Sequence, residues 1–431
     1  MQNKLLALAL TLTLTAAGSA AHSQPCRNGS DSRCSAGGKV LKKIHPLPNR
    51  YLVQFQDSVD APAKEAKAIA KLYGVKVRHV YKLGVRGFAM EASAEQAAEV
   101  SEDPRIEHVE EDSEVILMQV PPVSPPGWGL DRIDQPYLPL NGSFATGCNR
   151  GAGVNAYVLD SGINPNATEF GTRLTNGFTV TAGDFSDALN HGTSVASIIG
   201  GATYGVARKV NLINVKVAAP GHTGAADAMQ GVEYVIGQHQ LSPETPKVVN
   251  MSLGYEPSAM LDNTILNAIS QGIVFVVSAG NGTPHGTLNA CDNYSPARLG
   301  KPYNPGYNNS GYSTITVSAT QLVNNYSQDQ RVSYANVGPC VDIFAPGFDV
   351  DAFGSNGGPT LFQGTSAASP FVAGAVARHL SEFVGTPTPD AAYIENYLKS
   401  LATPNVVVDA QTSPNLMLYT FYARFCYWIE H

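Results

Sequence analysis

The sequence predicts an α/β fold in which a mostly parallel sheet is flanked by helices and preceded by a small α+β unit. Three observations carry this. Short apolar runs recur at Val154–Leu159, Val210–Val215, Val248–Leu253, Ile273–Ser278 and Thr314–Val317. They are interleaved with helix-like segments at His191–Ile199, Ala225–Gln238 and Leu261–Gln271. Strands buried on both faces read as such runs, and parallel pairing needs crossover helices between them. Residues 50–112, by contrast, alternate strand and helix patterns on a smaller scale. Finally, Asp160, Gly254 and Asn281 fall at the carboxyl ends of predicted strands, where open α/β sheets bind ligands.

The small unit justifies itself element by element. Tyr51, Val53 and Phe55 alternate within a strand over Arg50–Phe55. Asp60 is placed to cap a helix over Ala61–Tyr73, which Gly74 ends. Lys76–Lys82 and Gly87–Ala92 read as two further strands. Ser93 and Gln96 have capping-box spacing, and the helix they open stops before Pro104. Ile106–Glu111 is a fourth strand. The order β-α-β-β-α-β is ferredoxin-like. Residues 112–127 follow, with Pro121, Pro122, Pro125 and Pro126 keeping the chain extended and exposed as a linker.

Composition narrows the function classes. A chain of 431 residues with 43% hydrophobic content buries a sizeable core. A net charge of −7 and the lack of a long basic run argue against nucleic-acid binding. Residues 1–21 read as a secretory signal peptide. Lys4 supplies the positive end, Leu5–Ala17 the apolar stretch and Gly18-Ser19-Ala20-Ala21 the small residues for cleavage. At about 13 residues the apolar stretch is too short to span a bilayer, so a secreted, extracellular protein without a membrane anchor is expected. Six cysteines in an exported chain imply disulfides. Cys26 and Cys34 are spaced to close a small loop, and the pairing of Cys26, Cys34, Cys148 and Cys426 stays open.

The chemistry concentrates in three segments: Val158-Leu159-Asp160-Ser161-Gly162, Asn190-His191-Gly192-Thr193-Ser194 and Gly364-Thr365-Ser366-Ala367-Ala368-Ser369-Pro370. A serine hydroxyl attacks an amide only when a base takes its proton. His191 is the base of choice because imidazole titrates near neutrality. Asp160 would orient the ring and stabilise its protonated form. Ser366 opens a helix, where free N–H groups and the dipole favour developing negative charge. Asp, then His, then Ser is one of three known chain orders for an acyl-transfer triad.

With these flanking motifs, the chain from about Arg50 to Thr420 resembles the subtilisin-like serine proteases (subtilases), in particular their proteinase K-like branch. The resemblance implies a subtilisin-like catalytic domain over 119–431 and a propeptide over 22–118. That propeptide would be an intramolecular inhibitor and folding aid. Self-cleavage is expected near Met118, with Val115-Ile116-Leu117-Met118 left in the substrate cleft as product. Asn281, in Ser278-Ala279-Gly280-Asn281-Gly282, resembles the oxyanion-hole asparagine, acting with the Ser366 N–H. Cys291 and Cys340 match a bridged pair of the bacterial enzymes.

Protein and peptide substrates are expected to add as a strand along Ser252-Leu253-Gly254. The pocket for the residue before the cut would be walled by Ser252, Leu253 and Gly254 on one side and Ser278, Ala279 and Gly280 on the other. Small walls without an evident charge imply apolar or aromatic residues there and broad specificity. Tyr255, Ala367 and Phe371 depart from residues common in the family. Asp131 and Asp134, three apart with Gln135 beside them, offer hard oxygens suited to Ca²⁺. The resemblance adds Asn141 and Ser143 to that site and Asp342 to a second. The chain is thus expected to be a monomeric, secreted serine endopeptidase made as a self-processing zymogen. The alternatives are an esterase-type hydrolase, which would carry Gly-x-Ser-x-Gly with the serine first, and a catalytically silent binding protein on the same fold.

Overall fold

A computed structural model describes residues 40–43, 45–117, 127–145, 150–165, 168–282, 290–300 and 312–420. The expected signal peptide, Met118, and Cys26, Cys34, Cys148 and Cys426 lie outside the described residues. The amino-terminal unit is built from β1 (Pro46–Phe55), α1 (Pro62–Tyr73), β2 (Lys76–Tyr81), β3 (Gly87–Glu91), α2 (Ala94–Ser101) and β4 (Ile106–Ser113). Its strands pair antiparallel in the order β4-β1-β3-β2. A two-residue strand, Val40–Leu41, adds in parallel to β4, so the unit starts upstream of Arg50.

Alternation along its strands serves two cores at once. Tyr51, Val53, Phe55, Phe88 and Met90 pack with Ala66, Ile69, Ala97 and Val100 into the unit's own core. Leu52, Ala89 and Tyr81 join the main core of the chain. The helix ends follow local chemistry. Ser93 and Gln96 form the expected capping box, and Gly74 closes α1 at φ 68°. Asp60 does not cap α1: Ala61 holds that position, with no side-chain bond. Pro62 at the first helical position has no N–H to satisfy, and the Asp60 side chain is 97% exposed beside Arg86.

The main domain is a sheet whose central seven strands are parallel. These are β6 (Asn155–Asp160), β7 (Leu174–Thr179), β8 (Asn211–Lys216), β9 (Lys247–Met251), β11 (Val274–Ser278), β12 (Ile315–Val323) and β14 (Ile343–Pro346). Their spatial order is β7-β8-β6-β9-β11-β12-β14. Between β6 and β9 the chain changes the direction in which it adds strands, which makes a switch-point crevice there. The run expected as one strand, Val248–Leu253, is two. After Met251 the chain leaves the sheet, and β10 (Leu253–Gly254) pairs antiparallel with β5 (Ile116–Leu117) instead. Helices α4 (Gly192–Gly200) and α7 (Thr365–Leu380) are buried along their whole length and pack on each other. α5 (Ala225–Leu241) and α6 (Ala259–Ser270) form a second pair with partly exposed faces.

The small unit docks on the starts of α5 and α6 and on the middle of α5. Tyr81 Oη donates to Ala226 O at 3.1 Å. Glu233 on α5 accepts from the backbone N–H groups of Lys82, Leu83 and Gly84. In return, Glu110 accepts from Ser258 Oγ and from Ala259 N at the start of α6. Asp112 accepts from Ala226 N at the start of α5 at 3.4 Å. Glu110 lies where the α6 dipole and unpaired N–H groups favour negative charge.

Candidate active site

β6 ends on Asp160, which is completely buried. Its Oδ1 lies 2.7 Å from His191 Nδ1 and accepts from Ser161 N, also at 2.7 Å. A carboxylate facing Nδ1 places the proton there, which makes Nε2 the acceptor of the neutral ring. Nε2 is buried and has no hydrogen-bond partner. His191 itself is the residue before α4, so its position is fixed by a helix end. Burial alone would lower its pKa, but the charge and hydrogen bond of Asp160, with Asp187 behind, more than offset this, and the pKa is raised. Phe362 covers the ring edge-on with centroids 5.3 Å apart.

Asp187 escaped the sequence reading. One of its oxygens accepts from Ser161 Oγ at 2.7 Å and from Leu189 N at 3.1 Å; the other accepts from Thr193 N at 2.9 Å. It therefore ties the Asp160 turn to the His191 turn. Only its place four residues before His191 hinted at this.

Ser366 stands in the first turn of α7, behind Gly364 at φ 107°. That backbone conformation favours glycine and turns the chain abruptly into the helix. Ser366 Oγ donates to Ser252 O at 3.0 Å. Ser252 Oγ reciprocates, donating to Ser366 O at 3.0 Å and meeting Ser369 Oγ at 2.8 Å. Ser252 thus locks the strand end of β9 to the start of α7.

Asn281 follows β11, and its Oδ1 accepts from both Thr365 N and Thr365 Oγ1 at 2.9 Å. The oxygen end of the amide is held by the residue before Ser366, so its donor end is Nδ2. Thr365 Oγ1 also accepts from Gly280 N at 3.1 Å. Asn336, completely buried, donates to Ala279 O at 2.9 Å and accepts from Gly282 N at 2.8 Å. Thr365 and Asn336 were not singled out in the sequence. Their side chains act on a loop more than fifty residues away in the chain, with separations of 84 and 54.

The pocket residues gather around this point. Ser252, Leu253 and Ala279 are completely buried, and Ser278 carries a buried hydroxyl without a partner. Beside them runs the end of the small unit. Ile116 pairs with Gly254 and Leu117 with Leu253. One step earlier, Val115 N donates to Thr223 O, and Glu114 bridges to Gly224. The segment expected to lie in the cleft is therefore held between two edges of the main domain. Cys291 and Cys340 are disulfide-bonded, with Cα atoms 6.0 Å apart.

The residues named as metal ligands separate into two cases. Asp131 accepts from Asn141 N at 3.1 Å and Gly142 N at 2.7 Å, Asp134 accepts from Ala145 N at 2.6 Å, and Asn141 Oδ1 accepts from Ser143 N at 2.9 Å. One loop thus holds these oxygens, and Asp134 Oδ1 is buried without a partner. Burial pushes the Asp134 pKa up. An oxygen-rich loop with an unsatisfied buried carboxylate atom fits a hard cation. Gln135 turns its Nε2 to Tyr137 O and Pro139 O at 2.8 and 2.7 Å.

Asp342 does not fit. Its Oδ1 meets Lys399 Nζ at 2.5 Å, and its Oδ2 accepts from Thr316 N at 2.8 Å. Lys399 also pairs with Glu395 at 2.8 Å. An ammonium stands where a metal ion was expected. Among the described residues, no three His, Cys, Asp or Glu side chains form a metal-binding group.

The fold, the Asp160–His191 pair and the serine at the start of a buried helix define the serine-hydrolase class on a subtilisin-like scaffold. Comparison with known proteins agrees. The model of the subtilase family matches residues 151–411, and that of peptidase inhibitor I9 matches residues 50–118. The chain belongs to the subtilase family. An extracellular serine proteinase of Thermus sp. (strain Rt41A) is 38% identical over 406 residues, spanning 88% of this chain and 91% of the relative. The alkaline serine exoprotease A of Vibrio alginolyticus is 34% identical, spanning 97% of this chain and 78% of that protein. Among solved structures, a cold-adapted subtilisin-like serine proteinase is 37% identical with a TM-score of 0.59, spanning 69% of this chain and all (100%) of that one.

Proposed function

We propose that the protein is a secreted serine endopeptidase of the proteinase K-like branch, made as a zymogen that cuts itself near Met118. The observation that carries this is the pairing of Ile116–Leu117 with Leu253–Gly254, directly after Ser252, whose carbonyl accepts from Ser366 Oγ. A peptide laid out in that register is the arrangement that strand addition to a protease cleft requires.

Ser366 Oγ attacks the carbonyl carbon of the bound peptide and gives its proton to His191 Nε2, the unpartnered nitrogen. For this the hydroxyl turns from Ser252 O towards the ring. Asp160 stabilises the imidazolium without taking the proton. The tetrahedral oxyanion is held by Asn281 Nδ2 and the Ser366 N–H. Collapse breaks the C–N bond, and His191 returns the proton to the leaving amine. Water then attacks the acyl-enzyme by the same route. The walls formed by Ser252, Leu253, Gly254, Ser278, Ala279 and Gly280 suit apolar or aromatic residues before the cut.

The amino-terminal signal directs export, residues 22–118 act as propeptide, and residues 119–431 act as a monomeric enzyme. Asp131, Asp134, Gln135 and Asn141 are the residues that would hold a calcium ion, whose charge would be balanced by the two carboxylates of the 131–145 loop. The test is mass spectrometry of purified wild-type and Ser366→Ala protein folded with calcium. A cut near Met118 in wild type alone supports self-processing. A Ser366→Ala protein that matures just as well when pure rules it out.

A further inference from the structure

α3 (Trp128–Ile133) is the short helix that follows the linker. The far end of the described chain is fastened to its last residue: Thr420 N and Thr420 Oγ1 both donate to Ile133 O, at 2.7 and 3.0 Å. Burial, and then the charge of Asp134, raise the Tyr419 pKa, which sets Tyr419 near the 134–145 loop. α3 and this loop also wall a cavity of about 380 Å³, whose large side chains are Trp128, Leu130, Leu140, Phe144 and Tyr326.

The polar groups of the wall are already engaged. Trp128 Nε1 donates to Phe348 O at 3.1 Å, and the two oxygens of Asp131 accept from Asn141 N and Gly142 N. The cavity therefore offers a partner mainly apolar surface. Leu130, Leu140 and Phe144 rest on the main core. Tyr326, 47% exposed, stands at the rim on a backbone at φ 63°, the left-handed region that a bulky residue avoids.

Residues 421–431 lie outside the described residues. In that stretch Phe421, Tyr422, Phe425, Tyr427, Trp428 and Ile429 are large apolar or aromatic side chains, six in eleven residues. Segments that stay free in water are poor in aromatics, and an apolar cluster of this density calls for a surface to cover it. Reach is no obstacle. Leu130 lies one turn from Ile133, about 5 Å along the helix, and eleven extended residues span up to about 36 Å. The stretch that meets the cavity at Gly127 is a poorer match: residues 119–126 carry two valines among four prolines and no aromatic ring.

We propose that residues 421–431 dock on this cavity within the same chain, their aromatic side chains filling it. The segment then straps α3 to the 140–144 loop. This holds whether or not the chain processes itself.

The test uses the full chain with Ser366→Ala, so that it stays intact, carrying the photo-crosslinker p-benzoylphenylalanine in place of Phe425 or, separately, of Trp428. Irradiation and peptide mass spectrometry should give adducts within residues 127–144 or at Tyr326, in a yield that does not change on dilution. Amides of 421–431 should exchange at least about tenfold more slowly than in the free peptide of that sequence, as expected of a docked segment. Tyr326→Ser, at the exposed rim, and Leu140→Ser, in the wall, should each reduce that protection with the circular dichroism spectrum unchanged. Tyr326→Ser carries the test if Leu140→Ser does not fold. Adducts between two molecules that grow with concentration put the segment on a second copy and overturn the proposal. Adducts elsewhere on the chain, tail amides that exchange as fast as in the free peptide, or protection unmoved by the cavity variants overturn it too.

Discussion

Ser366 Oγ donates to the carbonyl of Ser252 at 3.0 Å, while His191 Nε2, the atom suited to receive that proton, is buried with no partner. With the propeptide end paired to Leu253–Gly254, the proposed nucleophile is hydrogen-bonded to the residue immediately before that paired strand. In the proposed mechanism, the first event is release of this hydroxyl from Ser252 O.

Asp160 fixes the tautomer that leaves Nε2 ready. Asp160→Asn should keep the fold and lower kcat by about 10⁴-fold, the loss seen when this carboxylate becomes an amide in another triad. Steady-state kinetics on a peptide ester and amide, with circular dichroism to check folding, test this. A fall below tenfold would remove Asp160 from the triad.

Thr365 should matter through Asn281. Asn281→Ala is expected to lower kcat by about 10²–10³-fold, a magnitude already known from subtilisin itself and so an expectation within the family. Thr365→Val removes only the hydroxyl that meets Asn281 Oδ1 at 2.9 Å and accepts from Gly280 N at 3.1 Å. It should produce a smaller loss in kcat with KM little changed. In the Asn281→Ala background Thr365→Val should add almost nothing, and additive losses would separate the two residues.

Association of the propeptide should depend on pH through Asp112. Burial, then the facing Asp227, raises its pKa to about 7 in the complex. A free aspartate titrates near about 3.9. The raised value means that the complex holds a proton the free propeptide releases. Its contribution is full below about pH 4, falls by at most about tenfold in affinity per unit as pH rises to about 7, and is flat above. His79, which also faces Asp227, has its pKa lowered, chiefly by burial, and so opposes this at the acid end. The clean measure is the inhibition constant of wild type relative to Asp112→Asn at pH 5, 6, 7 and 8. That ratio should change between 5 and 7 and then level. A ratio constant across the range would show that Asp112 does not titrate on release.

Lys399 holds two buried carboxylates, Asp342 and Glu395. Removing one partner of a buried ionic cluster costs about 3–5 kcal/mol. Lys399→Met should therefore lower the thermal midpoint sharply, and Asp342→Asn in the same chain should recover part of the loss. Calorimetry with and without calcium would also reveal whether a metal ion substitutes for the ammonium in the variant.

The 131–145 loop should answer to calcium through Asp134. Wild type should gain thermal stability on adding calcium and lose it with chelator, whereas Asp134→Asn should show a smaller response. An equal response in both proteins would place the ion elsewhere.

Much of this was legible before any coordinates. Apolar runs marked the sheet because its central strands are buried on both faces, and Gly74 and the Ser93–Gln96 box marked helix ends because capping is local chemistry. Asp160, His191 and Ser366 stood out because their neighbours are unusual. What stayed hidden depends on distance in the chain. Asp187, Thr365, Asn336 and Lys399 are ordinary residues until the fold brings them against a turn, an amide or a buried carboxylate. The calcium expectation at Asp342 missed Lys399 because nothing in a sequence says which helix will cover which strand end. The break after Met251 was missed because apolar continuity cannot report which partner the next two residues choose.

Glu110 and Asp112 reach across to the first turns of α6 and α5. Each such contact with a helix start is worth about 0.5–2 kcal/mol, and both are supplied by the part of the chain proposed to be discarded. Once that part is digested, the instructions for assembling those two helix ends no longer exist in the solution. On the proposed processing, a mature molecule that unfolds has a poorer route back than the one it first took, and its useful life is then set by how slowly it opens rather than by how favourably it closes.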